Sequence, residues 1–174
     1  MRRGLFVGRF QPPHFGHFRS IEWILSEGGV DELIVVIGSA QESHTLQNPF
    51  TAGERFEMLL LGFRELGIDA SRIHIVPVKD IAMNFVWTRY LEMMLPRFSV
   101  VFTRNPLVYR LFEEYGYEVR MQPLYDRGRY TATRIRKLMI EGRAEWREAV
   151  PRSVAEYIDE IRGVERLVSL VRGD

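Results

Sequence analysis

The chain has 174 residues, of which 46% are hydrophobic, and a formal net charge of +1 at pH 7. Such a composition excludes an intrinsically disordered chain, and the balanced charge gives no reason to expect nucleic acid as a partner. The chain contains no cysteine, which excludes disulfides and thiolate metal sites and is compatible with a reducing compartment. No apolar stretch is long enough for a signal peptide or a membrane span. We therefore expect residues 1–174 to form a single domain with a cytoplasmic location and no membrane partner.

The first part of the chain alternates between apolar runs and helical patterns. Leu5–Val7 is predicted to be a buried strand, and residues 16–27 a helix that ends at a pair of glycines. The continuous apolar run Leu33–Ile37 is typical of a parallel strand buried on both faces. A polar loop over residues 39–50 is a candidate lid. A capping box of Thr51 and Glu54 predicts a helix that runs to about Leu66.

The same alternation continues to the end of the chain. Three further strands are predicted at Ile73–Val78, Ser99–Thr103 and Tyr117–Gln122. The predicted helices are 84–95 with Asn84 as N-cap, 106–115 capped by Asn105, one from a Thr131 or Thr133 cap to about Ile140, 151–161, and a tail after Gly163. Strands separated by helices predict an α/β fold with a parallel sheet of about five strands and a helical C-terminal segment. In such a sheet, ligands bind beyond the carboxyl ends of the strands.

The loop after the first strand carries a motif suited to phosphate, His14-Phe15-Gly16-His17. Histidine donates hydrogen bonds to phosphate oxygens, glycine allows the backbone to come close, and a helix N-terminus favours an anion. If the helix begins near Phe15, both imidazoles can face one phosphate chain. Two histidines at this spacing can also chelate a metal, but the neighbouring Arg9 favours an anion. We therefore predict nucleotide phosphate binding here and assign no metal ligands.

A second motif lies near the start of a later helix, in the stretch Tyr130–Arg136. The hydroxyls of Thr131 and Thr133, together with unpaired backbone N–H groups, can cradle an anion, and Arg136 lies one turn further on. Alone, this stretch is more typical of an ordinary helix cap with solvated arginines. Its occurrence together with the first motif favours phosphate binding.

A third group of polar and aromatic residues follows the strand that ends at Val78. It contains Asp80, Asn84 and Trp87, and the last two lie about one helical turn apart. An indole face can stack on a flat cationic heterocycle. The alternative is that Trp87 is a core residue, and the spacing alone does not decide between the two.

These motifs resemble those of the nucleotidyltransferase superfamily, which pairs H-x-G-H with a later S/T-x-T-x-x-R. Within it, the chain is similar to archaeal-type nicotinamide-nucleotide adenylyltransferases. The similarity covers nearly the whole chain, and the matching stretches are 8–12, 38–41, 48–55, 77–81, 130–136 and 163–166.

The resemblance implies a Rossmann-like, doubly wound sheet and transfer of the adenylyl group of ATP to nicotinamide mononucleotide, giving NAD and pyrophosphate. It also implies a divalent cation, usually Mg²⁺, a homo-oligomer, and in-line attack without a covalent enzyme intermediate. The residues assigned to catalysis are Arg9, His14, His17 and Arg136. Those assigned to ATP are Gly8, Phe10, Gln11, Gly16, Asn105, Tyr130, Thr131 and Thr133. Those assigned to the mononucleotide are Gly38, Ser39, Asp80, Asn84 and Trp87.

Two positions depart from the pattern of this family. Gln47 stands in the candidate lid where the family carries a cation, and Arg104 precedes Asn105 where the family tends to have glycine. Arg104 either supplies the missing charge or points to solvent. Another transferase of the superfamily, a non-catalytic nucleotide sensor, and an RNA-binding fragment related to tRNA synthetases are the alternative functions. Intact phosphate motifs, the Asp80–Trp87 group and the balanced charge argue against them.

Overall fold

The centre of the molecule is a five-stranded parallel sheet, seen in a computed structural model that describes residues 1–172. Its strands are β1 (Arg3–Gly8), β2 (Glu32–Ile37), β3 (Ile73–Pro77), β4 (Val100–Phe102) and β5 (Glu118–Arg120). They lie in the order β3-β2-β1-β4-β5, and every neighbouring pair is parallel. The chain therefore winds outward from β1 in both directions. This confirms the predicted Rossmann-like, doubly wound sheet.

Seven α-helices connect and flank the strands within the described residues. They are α1 (Phe15–Glu27), α2 (Ala52–Leu66), α3 (Asn84–Met94), α4 (Pro106–Glu114), α5 (Ala132–Ile140), α6 (Arg152–Glu160) and α7 (Gly163–Arg172). Short 3₁₀ helices span Ala70–Arg72 and Ala144–Ala149. The last three α-helices form the predicted helical C-terminal segment. Across residues 1–172, no helix is both long enough and apolar enough to cross a membrane.

The two faces of the sheet bury different sets of side chains because successive residues of a strand point to opposite sides. Phe6, Val35 and Phe102 belong to a cluster that includes residues of α1, α2, α5, α6 and α7. Leu5 and Val101 belong to the opposite cluster, which includes residues of α3 and α4. Helices on both faces explain why the central strands are continuous apolar runs.

Most predicted helix starts are confirmed, and one is wrong. Thr51 and Glu54 form the reciprocal capping box, with Glu54 N–H donating to Thr51 Oγ1 at 3.1 Å and Thr51 N–H donating to Glu54 Oε2 at 2.9 Å. Thr131, rather than Thr133, caps α5. In α3 the N-cap is Met83, which has extended backbone, so Asn84 is the first helical residue and not the cap.

Strands β4 and β5 are shorter than predicted. Strands β4 and β5 each contain three residues, because pairing stops at Phe102 and Arg120. Residues 103–105 instead turn into the cap of α4, where the Asn105 side chain accepts from the N–H groups of Leu107 and Val108. The last residue of β4 therefore lies opposite Phe6, two residues before β1 ends at Gly8.

Candidate active site

The sheet changes winding direction between β1 and β4, and a cavity of about 300 Å³ lies beyond the carboxyl ends of these strands. Gly8 and Arg9 from the loop after β1 and Thr103 and Asn105 from the loop after β4 line this cavity. At such a switch point neighbouring loops diverge and leave a crevice. A cavity therefore lies at the edge of the sheet where the sequence predicts that ligands bind.

His14 and His17 form a stacked pair at the start of α1. Helix α1 begins at Phe15, as the phosphate interpretation requires, and the ring centroids lie 3.7 Å apart with an interplanar angle of 25°. Phe10 packs edge-on against His17, with centroids 4.8 Å apart. The backbone N–H of His14 donates to His17 Nδ1 at 3.2 Å. Since Nδ1 accepts, a neutral His17 carries its proton on Nε2, and that N–H remains as a donor.

Both imidazoles are held in the neutral form. His14 is 7% exposed, and burial lowers its pKa to about 4. Burial also lowers the pKa of His17 well below its ordinary range, and the proximity of His14 lowers it further. At neutral pH the pair therefore offers N–H donors to an anion without a net charge of its own.

Two glycines allow the close approach that this loop needs. A Cβ atom on Gly16 would lie 3.0 Å from His14 Nδ1, and one on Gly8 would lie 2.8 Å from the Phe10 ring. Larger residues would displace the histidine ring or the phenylalanine that supports it. Gly8 and Gly16 are therefore needed for their small size and not for their backbone conformation, because neither has a positive φ.

Arg136 joins the second motif to the first. Its side chain is 9% exposed, Nη1 donates to the carbonyl of Gln11 at 2.8 Å, and Nε donates to the carbonyl of Leu46 at 3.0 Å. Burial lowers the pKa of Arg136, and the nearby charge of Arg9 lowers it further. Two cations close enough to repel each other, neither of them ion-paired within residues 1–172, are typical of an anion site. Within residues 1–172, Nη2 of Arg136 makes no hydrogen bond, so this group is available to a ligand.

The other residues of the second motif lie next to the first. Tyr130 packs near Phe15, with ring centroids 6.0 Å apart, and its Cβ atom lies 3.3 Å from the position a Gly16 side chain would take. Thr131 Oγ1 accepts from Arg134 N–H at 3.3 Å, whereas Thr133 is exposed. The hydroxyl of Thr131 therefore caps the helix, and the exposed hydroxyl of Thr133 has no such role.

The third group forms the other side of the cavity. Asp80 Oδ1 accepts from Ser39 N–H at 3.2 Å, which connects the loops after β2 and β3. Gln41 and Asp80 are bonded reciprocally, with Asp80 N–H donating to Gln41 Oε1 at 3.0 Å and Gln41 Nε2 donating to Asp80 Oδ2 at 3.4 Å. Gly38, Ser39, Asp80 and Trp87 line the first cavity. The carboxylate is thus oriented by neighbouring loops before any ligand arrives.

Trp87 lies at the border between the core and the cavity. It packs edge-on against Phe112 in the core at 5.6 Å, and it also lines the first cavity. A smaller adjoining cavity of about 240 Å³ is lined by Asp80, Asn84 and Trp87 together. The predicted juxtaposition of Asn84 and Trp87 is therefore confirmed.

Three other side chains that the sequence singled out form hydrogen bonds within the protein. The buried amide of Gln11 accepts from Phe50 N–H and donates to Phe50 O, both at 2.9 Å, so it anchors the end of the candidate lid. Asn105, assigned to ATP, caps α4 and lines the cavity beside Asp80 and Trp87. Arg104 is exposed and donates to the carbonyl of Gln122 at 2.9 Å.

Sequence analysis missed the residues that hold these loops in place. Arg55 is fully buried, and its guanidinium donates to carbonyls of the loops after β1 and β2. Arg166 of α7 pairs with Glu54 through both carboxylate oxygens at 2.7 and 2.8 Å and donates to Pro49 O at 3.0 Å. Arg55 lies four residues before Leu59 and eight before Phe63, on the buried stripe of α2. An arginine at a core position of an amphipathic helix was the signal available.

The polar groups near the phosphate motifs are mainly N–H donors. Within residues 1–172, no group of three or more His, Asp or Glu side chains is placed to hold a metal ion. The donors near the two phosphate motifs are imidazole, guanidinium and backbone N–H groups. These suit phosphate oxygens rather than a hard divalent cation.

Comparisons with known proteins agree with this architecture. The cytidylyltransferase-like family model matches residues 5–138. The chain also resembles a bifunctional NMN adenylyltransferase/ADP ribose pyrophosphatase from Francisella tularensis, crystallised with AMP and a manganese ion. The TM-score is 0.73 at 20% identity, over 96% of this chain and 52% of that one, so the likeness concerns the fold. Fold and family model together define a nucleotidyltransferase.

Two relatives of about 50% identity show which family of nucleotidyltransferases the chain belongs to. The nicotinamide-nucleotide adenylyltransferase of Caldivirga maquilingensis is 54% identical over 100% of this chain and 97% of its own length. That of Saccharolobus solfataricus is 51% identical over 100% of this chain and 99% of its own length. The chain accordingly belongs to the nicotinamide-nucleotide adenylyltransferase family of enzymes, whose adenylyl transfer serves NAD synthesis.

Proposed function

We propose that the protein transfers the adenylyl group of ATP to the 5′-phosphate of nicotinamide mononucleotide, releasing NAD and pyrophosphate. The observation that carries this proposal is the contact between Arg136 and the carbonyl of Gln11, which brings two phosphate-binding motifs together beside the Asp80–Trp87 cavity. One region of the site is therefore suited to a triphosphate and the neighbouring region to a flat heterocycle.

The proposed mechanism needs no nucleophile from the protein. The phosphate of the mononucleotide attacks the α-phosphorus of ATP in line, the bond to the bridging oxygen breaks, and pyrophosphate leaves. Both reactants are polyanions, so catalysis consists of positioning them and neutralising the charge that builds on the leaving group. His14 and His17 would donate N–H groups to ATP phosphates, and Arg9 and Arg136 would supply the positive charge.

We propose that Mg²⁺ enters with ATP, as part of the substrate. A nucleotide-bound cation is held by phosphate oxygens and water, which agrees with the absence of a carboxylate cluster in residues 1–172. The AMP and manganese of the Francisella tularensis protein are compatible with this assignment.

The pocket for the nicotinamide ring would lie between Asp80, Asn84 and Trp87. An indole attracts the positively charged pyridinium ring, and a carboxylate can accept hydrogen bonds from a carboxamide. Gly38 and Ser39 are also assigned to the mononucleotide, because they line the same cavity as Asp80 and Trp87.

We also propose a homo-oligomer. Met83, Phe85 and Met93 expose 50%, 65% and 74% of their surface. The three residues lie on α3 or at its N-cap, and a contiguous exposed apolar patch is typical of an association surface. Light scattering on the purified protein measures the oligomeric mass directly.

The activity is tested by incubating the protein with MgATP and one acceptor at a time: nicotinamide mononucleotide, nicotinic acid mononucleotide or phosphopantetheine. We expect pyrophosphate release with a pyridine mononucleotide and formation of the corresponding dinucleotide. Turnover of phosphopantetheine alone would identify a different transferase of the superfamily. Nucleotide binding without turnover of any acceptor would identify a sensor.

Replacing Trp87 with alanine is expected to weaken binding of the mononucleotide and to leave binding of ATP nearly unchanged. Loss of stacking and cation–π attraction predicts a decrease of about 5- to 30-fold in affinity. Calorimetric titration of each ligand measures this difference. The control is Trp23→Phe, because Trp23 packs against Phe102 in the other cluster. Equal weakening for both ligands, with a large drop in melting temperature, would show that Trp87 is only structural.

The buried imidazole pair is expected to make the protein less stable as the pH falls from 6.5 to about 4. In this window the unfolded chain binds protons that the folded His14 does not, so the free energy of unfolding decreases with decreasing pH. From the shift in pKa, His14 alone accounts for about 3 kcal/mol. Chemical unfolding of the parent and of His14→Asn between pH 7 and 4 measures the effect, since asparagine is also a good N-cap. Parallel curves for the two proteins would contradict the assignment.

A further inference from the structure

Arg55, the fourth residue of α2, is 0% exposed. Within residues 1–172, no carboxylate lies within ion-pair distance of it. Burial lowers its pKa to about 10, so the guanidinium keeps its charge at neutral pH. A buried charge is strongly unfavourable unless polar groups compensate it. The groups that compensate this charge therefore indicate the role of Arg55.

Asp80 and Glu54 favour this charge from beyond ion-pair distance, and every hydrogen bond of the guanidinium goes to a backbone carbonyl around the active site. Nε donates to Thr51 O at 3.2 Å, Nη1 donates to Arg9 O at 2.9 Å and to Gly38 O at 2.8 Å, and Nη2 donates to Ser39 O at 3.0 Å and to Glu42 O at 3.4 Å. Arg9 belongs to the loop after β1, Thr51 is the N-cap of α2, and the other three acceptors belong to the loop after β2. One planar group therefore fixes two loops against each other and against α2.

The backbone beside these carbonyls is strained. Phe10, which follows Arg9, has φ of 52°, and Ser39 has φ of 49°. Residues other than glycine rarely adopt this left-handed region, and they do so only where surrounding contacts impose it. The hydrogen bonds of Arg55 are contacts of that kind, since they lie on the carbonyl before Phe10 and on that of Ser39.

The two loops carry different substrates in the proposed reaction, and the inference rests on that proposal. The loop after β1 leads to His14 and His17, which would hold ATP phosphates. The loop after β2 contacts Asp80, in the wall assigned to the mononucleotide. The distance between the loops thus sets the distance between the attacking phosphate and the α-phosphorus.

We propose that Arg55 is a positioning residue that aligns the two substrates with each other without touching either of them. Other contacts remain without Arg55: the Gln11 amide ties the loop after β1 to Phe50 at the far end of the loop after β2, and the Gln41–Asp80 pair supports the start of the loop after β2. When Arg55 is replaced, we therefore expect each substrate to bind alone as before, whereas the reaction between the two bound substrates slows. Misplacement of reacting atoms by about 1 Å is enough to slow a reaction about 100-fold.

The test compares Arg55→Lys and Arg55→Ala with the parent and with Arg64→Lys, a matched change at an exposed position of α2. Lysine keeps the charge but has one ammonium group, which cannot bond to both loops as the planar guanidinium does. We expect kcat of both Arg55 variants to fall by about 10- to 100-fold. We expect calorimetric dissociation constants for ATP alone and for the mononucleotide alone to stay within about threefold. Added guanidinium ion should restore part of the kcat of Arg55→Ala.

Several outcomes would overturn the proposal. These are a kcat within about twofold of the parent, a parallel loss of affinity for each substrate alone, or failure of both variants to fold as judged by circular dichroism. The last result would show that Arg55 determines stability rather than alignment. Activity of the parent is measured in the same assay, so failure of the proposed function is seen separately from failure of this inference.

Discussion

Replacing His17 with alanine is expected to lower kcat by about 100-fold, because one donor to a developing negative charge contributes a factor of about 10²–10³. His17 makes its Nε2–H available by accepting the His14 backbone N–H at Nδ1, and it stacks on His14 at 3.7 Å. Alanine removes both the donor and the acceptor. The measurement is kcat from pyrophosphate release with both substrates saturating.

Two further variants distinguish lost chemistry from lost stability. His17→Asn keeps a short acceptor near the His14 N–H but removes the ring, so we expect a similar loss of kcat with a smaller change in melting temperature. His74→Asn is the control, since His74 contacts Glu32 on the sheet and is not among the cavity-lining residues. If His17→Ala retained activity within about twofold, far less than the loss expected for an oxyanion donor, the phosphate role of this histidine would be wrong.

The sequence predicted the sheet well because its signals are local. Leu33–Ile37 is a continuous apolar run since β2 is covered on both faces, and the observed strand begins one residue earlier, at Glu32. The capping box at Thr51 fixed the start of α2 for a similarly local reason. The juxtaposition of the two phosphate motifs followed from parallel topology, and the bond between Arg136 and Gln11 O now shows how closely they lie.

The remaining features depend on contacts distant in the sequence and were missed for that reason. Arg55 bonds to Arg9 O across 46 positions, and the Gln11 amide bonds to Phe50 across 39. The position of Arg55 on the apolar stripe of α2 indicates that it is buried, but neither contact follows from spacing or propensity, because local sequence does not identify a distant partner. The assignment of Gln11 to ATP rests on its motif, and the pairing of its amide with the backbone of Phe50 is visible only in the structure.

Replacing Arg136 with alanine is expected to lower kcat by at least about 100-fold, since a guanidinium contact to transferring phosphates can contribute 10³ or more. Its Nε and Nη1 bond to Leu46 O and Gln11 O, and its remaining Nη2 is the group available to ATP. The bond to Leu46 also holds the polar loop over residues 39–50 against the site. The variant should therefore lose a phosphate contact and release this loop at the same time.

Hydrogen exchange and kinetics together separate these two effects. In Arg136→Ala, amide protection of residues 43–48 should decrease along with kcat, whereas Arg136→Lys should recover part of the activity without restoring protection, because one ammonium group cannot bond to both carbonyls and a phosphate. Lys137→Ala is the matched control, an exposed position on the same helix. Unchanged exchange with lost kcat would assign Arg136 to phosphate alone. Full activity of Arg136→Ala would contradict its place in the catalytic site.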